Sequence, residues 1–165
     1  MHRDAGTRPL LFAAIGPAAL LFASCGASVS AEDILDQAPR GAIEGEAFDA
    51  VEAAGRYDVP GSGDRLFVTL FEEDVDECSG VLPSGTRQIL LAVPPNMGEY
   101  PLRLDFGDPT RSQVVTFVTR DNVNLVAVDG IIAVDAIDDV SASIGILAMV
   151  TDSEVNGRID VRICP

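Results

Sequence analysis

Lysine and tryptophan are absent from this chain, and its one histidine is the second of 165 residues. Without lysine there is no Schiff-base amine and no phosphate-loop cation, and neither GxxxxGK[ST] nor GxGxxG occurs. With His2 as the sole imidazole, a Ser–His or Cys–His nucleophile pair lacks its base. Zinc and copper sites usually take imidazole or several thiolates, and the chain has only three cysteines. Cations are scarce: 11 Arg stand against 26 acids, for a net charge of −15. Such a surface repels phosphate, so nucleic acid is not a partner. The catalytic chemistry left open is a carboxylate pair, as in glycoside hydrolysis. Sites of that kind usually add aromatic platforms, and seven Phe and two Tyr offer few. The composition therefore points to a non-catalytic protein with no cofactor and no metal.

What is present begins with a targeting pattern. Arg3 and Arg8 precede the apolar run "LLFAAIGPAALLF" (10–22), and Ala23-Ser24 lead directly to Cys25. A basic start, a short apolar stretch and a small-residue border describe an export signal. The run falls short of the ~20 apolar residues a membrane span needs, and Gly16-Pro17 interrupts it. "LFASC" (21–25) resembles the lipobox of bacterial lipoproteins, in which small residues precede a cysteine that is lipidated and becomes the mature N-terminus. The resemblance covers about the first 25 residues. It implies lipidation at Cys25, export to the bacterial cell envelope and attachment to a membrane, the outer one in a Gram-negative cell. The alternative is ordinary signal cleavage with Cys25 as a bystander.

Several acyl chains hold a protein firmly, since each buried methylene contributes about 0.8 kcal/mol. The division that follows is a signal peptide at 1–24, a flexible tether at 25–40 ("CGASVSAEDILDQAPR") and one domain at 41–165. A tether of that length reaches on the order of 20 Å. Losing residues 1–24 removes two of the 11 Arg and one of the 26 acids, leaving nine against 25 and a net charge of −16.

With Cys25 lipidated, Cys78 and Cys164 are an even pair in an oxidising compartment. A Cys78–Cys164 disulfide would pin the last strand to a loop near the middle of the domain. In the chain-entropy view it would stabilise by roughly 4 kcal/mol. Two free buried thiols are the alternative.

From residue 41 onward, β-rich runs alternate with Gly, Pro, Asp and Asn. The strand candidates are 65–71, 87–93, 113–119, 124–128, 131–137, 143–150 and 155–163. Breakers between them suit an all-β domain, a single antiparallel β-sandwich or flattened barrel of about seven to eight strands. Asn156-Gly157 signals a hairpin in isolation. The alternation of Val155, Gly157, Ile159, Val161 and Ile163 runs straight through it, however. The turn therefore belongs at "TDSE" (151–154), with Gly157 a bulge or a close approach. Residues 44–55 suit a helix or a first strand, and the strand reading is preferred. The order "GAIEGEAF", "RLFVTLFEE" before Cys78, "VPPNMGEYPL", "VVTFV" and "VNGRIDVRIC" also resembles small uncharacterised bacterial lipoproteins built as one β domain. That resemblance implies a cysteine-tied last strand and no activity.

"ILLAV" and "IGILAMV" are apolar on both faces, so each side must meet something dry. A central strand with loops over its second face explains this, as would a partner surface or a barrel lumen holding an apolar ligand. A filled interior would exclude the lumen. Acids cluster at 71–77, 105–109 and 135–139. They would bind calcium only if the fold converged them; otherwise they solvate the domain. Asp152 and Asn156 mimic the start of a calcium loop, but position twelve is Ile163 rather than Glu, and the stretch reads as a turn. The expected function is a lipid-anchored envelope module with an unknown envelope protein or small ligand as partner. A small β-barrel carrier of apolar ligand and a carboxylate-based hydrolase are the alternatives.

Overall fold

The computed structural model describes residues 29–57, 64–75, 78, 84–108 and 111–165. The expected signal peptide, Cys25 and the tips of two acidic clusters lie outside them. Among the described residues there is no α-helix, only a 3-10 turn at Ala31–Asp33 and eleven strands in one sheet. No helix there is long and apolar enough to cross a membrane.

The strands are β1 (Arg40–Ile43), β2 (Glu46–Asp49), β3 (Glu52–Arg56), β4 (Leu66–Phe71), β5 (Gln88–Val93), β6 (Gly98–Pro101), β7 (Val115–Val118), β8 (Asn124–Ala127), β9 (Asp129–Ile137), β10 (Ser141–Val150) and β11 (Ser153–Ile163). Their order is β6-β9-β10-β11-β3-β4-β5-β7-β8, with the β1–β2 hairpin attached beside β11. All pairings are antiparallel except β11 with β3, where Arg162 and Ile163 run parallel to Ala54 and Gly55.

The sheet is a curled, open half-barrel rather than a two-sheet sandwich. β8 and β9 are separated by Val128 alone, so one bent run borders β7 with its first part and β10 with its second. The two-hydrogen-bond bridge between Arg103 and Gln113 joins the chain after β6 to the chain before β7. The chain leaving β6 therefore meets the chain entering β7 at a seam.

All seven expected strands form. The count is eleven because short strands carry too little alternation to be seen in sequence. Residues 44–55 are strand, as preferred, but 40–56 makes three strands instead of one. Glu44 (φ 53°) and Gly45 (φ 75°) turn the β1–β2 hairpin, a geometry with positive φ at both central positions. β6 hides behind Gly98 and Pro101 and is tolerated at the end of the sheet, where a missing donor costs no ladder bond. The β10–β11 turn is tighter than expected, with Val150 facing Ser153 across Thr151-Asp152.

The interior is filled. Phe48, Leu66, Leu70, Ile89, Phe117, Ile132, Ile144 and Ile146 are fully buried in one cluster drawn from strands all around the curl. The second apolar face of β10 is covered by the segment that precedes β1. Over residues 29–39 the chain is a docked strap. Ile34 packs with Ile131 and Ala133 on the outer face, joined by Val29, Ala31 and Leu147. The Asn156 side chain accepts from the Leu35 N–H at 2.9 Å and donates to the Asp33 carbonyl at 3.2 Å. The Arg158 N–H donates to the Gln37 carbonyl at 2.7 Å. Gly157 (φ 153°) is a close approach: a Cβ there would lie 2.6 Å from Gln37 O and from the backbone of Pro39. The strap needs a glycine beneath it and an apolar strand face to cover, and "DILDQAP" supplies one large aliphatic in the right place.

Candidate functional site

Cys78 and Cys164 form a disulfide with their Cα atoms 5.5 Å apart, closing 86 residues of sequence separation. Cys164 is buried against Ala54 and Phe71, and its N–H donates to the Gly55 carbonyl at 2.8 Å. The bond thus locks the end of β11 at its parallel junction with β3.

The described parts of the acidic clusters do not converge. Among the described residues no three His, Cys, Asp or Glu side chains are grouped so as to hold a metal ion. Their carboxylates have local work instead. Asp105 Oδ1 accepts from the N–H groups of Gly107 (2.9 Å) and Asp108 (3.0 Å). Asp138 Oδ1 accepts from those of Val140 and Ser141, each at 2.8 Å, and these bonds hold its carboxyl below the usual range. Asp135 pairs with Arg158. Asn156, half of the calcium-loop resemblance, is spent on the strap.

Glu72 departs most from the picture of solvated acid. It lies partly buried beside Arg87, which is 5% exposed. Arg87 Nε donates to both Glu72 oxygens at 3.1 and 3.0 Å, its Nη2 also reaches Glu72, and its remaining donors go to the carbonyls of Glu46 (3.1 Å) and Ala47 (2.6 Å). The guanidinium also sits 5.9 Å from the centre of the Phe48 ring. Burial alone would raise the Glu72 carboxyl, but the hydrogen bonds and charge of Arg87 override it and hold it below its ordinary value. This pair is structural: it fastens the β1–β2 hairpin to β4 and β5. Nothing in the sequence marked it, because Glu72 sits inside a run of acids.

The open chemistry lies at the seam. A cleft of about 450 Å³ is lined by Arg65, Arg103, Arg111, Asp64, Glu99 and Tyr100, with Pro94, Pro95 and Pro101 as further wall. Three of the nine arginines beyond residue 25 thus meet in one place. The framework is firm. Arg65 donates from Nη1 to the Ser112 carbonyl at 2.7 Å and from Nη2 to Ala92 O and Gln113 Oε1, while Gln113 Nε2 donates to Ala92 O at 2.8 Å. These acceptors are neutral oxygens, so among the described residues no carboxylate compensates Arg65, and its buried Nε has no partner there. Burial pushes the Arg65 pKa below its ordinary value. Arg103 is fixed through its backbone at the bridge to Gln113, yet its guanidinium makes no hydrogen bond or ion pair among the described residues. Arg111 pairs with Asp108 at 3.2 Å, both largely exposed. Sequence reading missed this cluster because residues 65, 103 and 111 have no common motif and meet only where the sheet curls back.

Comparison with protein-family models, curated proteins and solved structures finds no match for this chain.

Proposed function

We propose that this protein is an exported, lipid-anchored, non-catalytic domain of the bacterial cell envelope, serving there as a binding or structural module. The observation that carries the reading is the accounting of cysteines. Cys78 and Cys164 are joined to each other, which leaves Cys25, at the small-residue border of a short apolar run, as the one remaining thiol. A domain with net charge −16 has no electrostatic attraction to anionic lipid, so a covalent anchor is what would hold it at a membrane.

The docked strap alters the geometry of such an anchor. Val29 already packs on the outer face of β9, and only four residue steps separate it from Cys25. By chain length alone that span is at most about 14 Å, so the domain would be carried close to the lipid with the strap side toward it. The filled interior does not support the apolar-ligand carrier, which needs a lumen.

Fractionating cells that express Cys25→Ser tests the anchor. The parent should sediment with membranes and carry acyl chains on its N-terminal peptide, and the variant should appear in the soluble exported fraction. A variant that remains in the membrane fraction, or a parent without acyl groups, would overturn the proposal.

A further inference from the structure

The seam cleft has a chemical character that the anchor reading neither uses nor requires. Acids outnumber arginines by 25 to nine beyond residue 25, so an arginine on this surface is readily paired. Arg87, Arg111, Arg120 and Arg158 all have carboxylate partners within 4.0 Å. Among the described residues Arg40 and Arg56 have no such partner and donate to Gln37 Oε1 and the Cys78 carbonyl. Arg65 and Arg103 have none as well, and these two line the same cleft. Two uncompensated cations held on a hydrogen-bonded frame are a site prepared for an anion.

The rest of the lining narrows the class of anion. Asp64 and Glu99 share the cleft and, when ionised, can only accept hydrogen bonds. They would repel a bare phosphate but suit the hydroxyls of a polyol. Tyr100 packs its ring against the core while its hydroxyl donates to the Asn96 carbonyl at 2.8 Å. Its ring and the prolines beside it give a flat, stiff, apolar wall on which the C–H face of a sugar can lie. The cleft volume falls within the range of small-molecule sites, roughly 300–1,000 Å³.

We propose that this cleft binds an acidic sugar, its carboxylate held by Arg103 and by Arg111, whose exposed pairing with Asp108 it would share, its hydroxyls donating to Asp64 and Glu99, and its ring against Tyr100. Arg65 contributes charge from behind and holds the seam in shape. The assignment stands or falls independently of lipidation at Cys25.

The absence of tryptophan makes the test clean. With Tyr57→Phe, Tyr100 is the only tyrosine in the chain, and its emission reports the cleft directly. The purified protein is titrated with glucuronate, glucose and inorganic phosphate, and calorimetry of the same titrations detects binding that leaves emission unchanged. Glucuronate should give saturable binding, with neither glucose nor phosphate matching it at equal concentration. Arg103→Gln should weaken glucuronate about tenfold or more, as expected for loss of a charge-assisted hydrogen bond, while Arg120→Gln, outside the cleft, should leave it unchanged. If Arg103→Gln does not fold, Arg111→Gln carries the same expectation. No saturable binding of glucuronate, equal binding of glucose or phosphate, or full binding by the folded arginine variant would each overturn the proposal.

Discussion

Arg87 and Arg103 are the same side chain on the same curled sheet, and the fold treats them in opposite ways. Arg87 is buried and spends its donors on Glu72 and two backbone carbonyls. Arg103 is exposed, with its backbone locked in the seam and its guanidinium unpartnered among the described residues. A buried charge persists only when its partners are complete, so saturation marks the first as part of the scaffold. An unsatisfied cation in so acidic a molecule requires a different reason. The contrast separates charges that hold the structure from charges available to a ligand, and composition alone cannot make that separation.

The comparison breaks most sharply if Arg87 is removed. Arg87→Ala leaves the partly buried Glu72 without its hydrogen-bonded counter-charge, with only the more distant Arg120 acting on it, and takes a donor from each of two carbonyls. The expected loss is about 3–5 kcal/mol of stability, read as a lowered urea midpoint. The same pair sets an acid dependence. The folded Glu72 carboxyl titrates below its unfolded value because Arg87 outweighs the effect of burial. A depressed folded pKa contributes stability above the unfolded pKa and loses it as pH falls through the folded one. Glu72→Gln should therefore flatten the acid limb of the stability curve, with little change in its slope above the ordinary glutamate range. A variant with an unaltered acid limb would show that the pair is not a source of acid lability.

A smaller effect is expected at the strap. Ile34 is 5% exposed and sits between Ile131 and Ala133 on the outer face. Ile34→Ala should cost about 2–3 kcal/mol, the lower part of the range for a buried aliphatic, and should speed amide exchange in residues 31–37. If exchange there is already fast in the parent, the segment is a tether and the docked strap fails.

The strap also shows what the sequence could and could not reveal. Strong alternation and long apolar runs made β4, β5, β10 and β11 legible, as did the breakers around β7, β8 and β9. The apolar outer face of β10 was legible too, but its cover was not. Residues 29–39 hold one large buried aliphatic in a polar, periodless stretch, and their docking depends on Gly157 and Asn156, more than a hundred residues away. The Cys78–Cys164 pairing followed from counting thiols. The Arg87–Glu72 pair and the seam cleft arise from residues far apart in sequence, brought together by the curl. Short motifs record local chemistry, and neither of these is local.

The smallest expected effect is the most informative about Arg103. With no side-chain partner to lose among the described residues and an exposed side chain, Arg103→Gln should change stability by no more than about 0.5 kcal/mol. The backbone bridge to Gln113 is untouched by the substitution, and Arg65 still holds Ser112, Ala92 and Gln113. Relief of repulsion from Arg65 and Arg111 would even make the change slightly stabilising. A substitution that leaves the urea midpoint in place yet removes glucuronate binding would assign this arginine to a ligand and not to the fold. A loss as large as that of Arg87→Ala would place Arg103 among the scaffold charges, and the distinction between the two arginines would disappear.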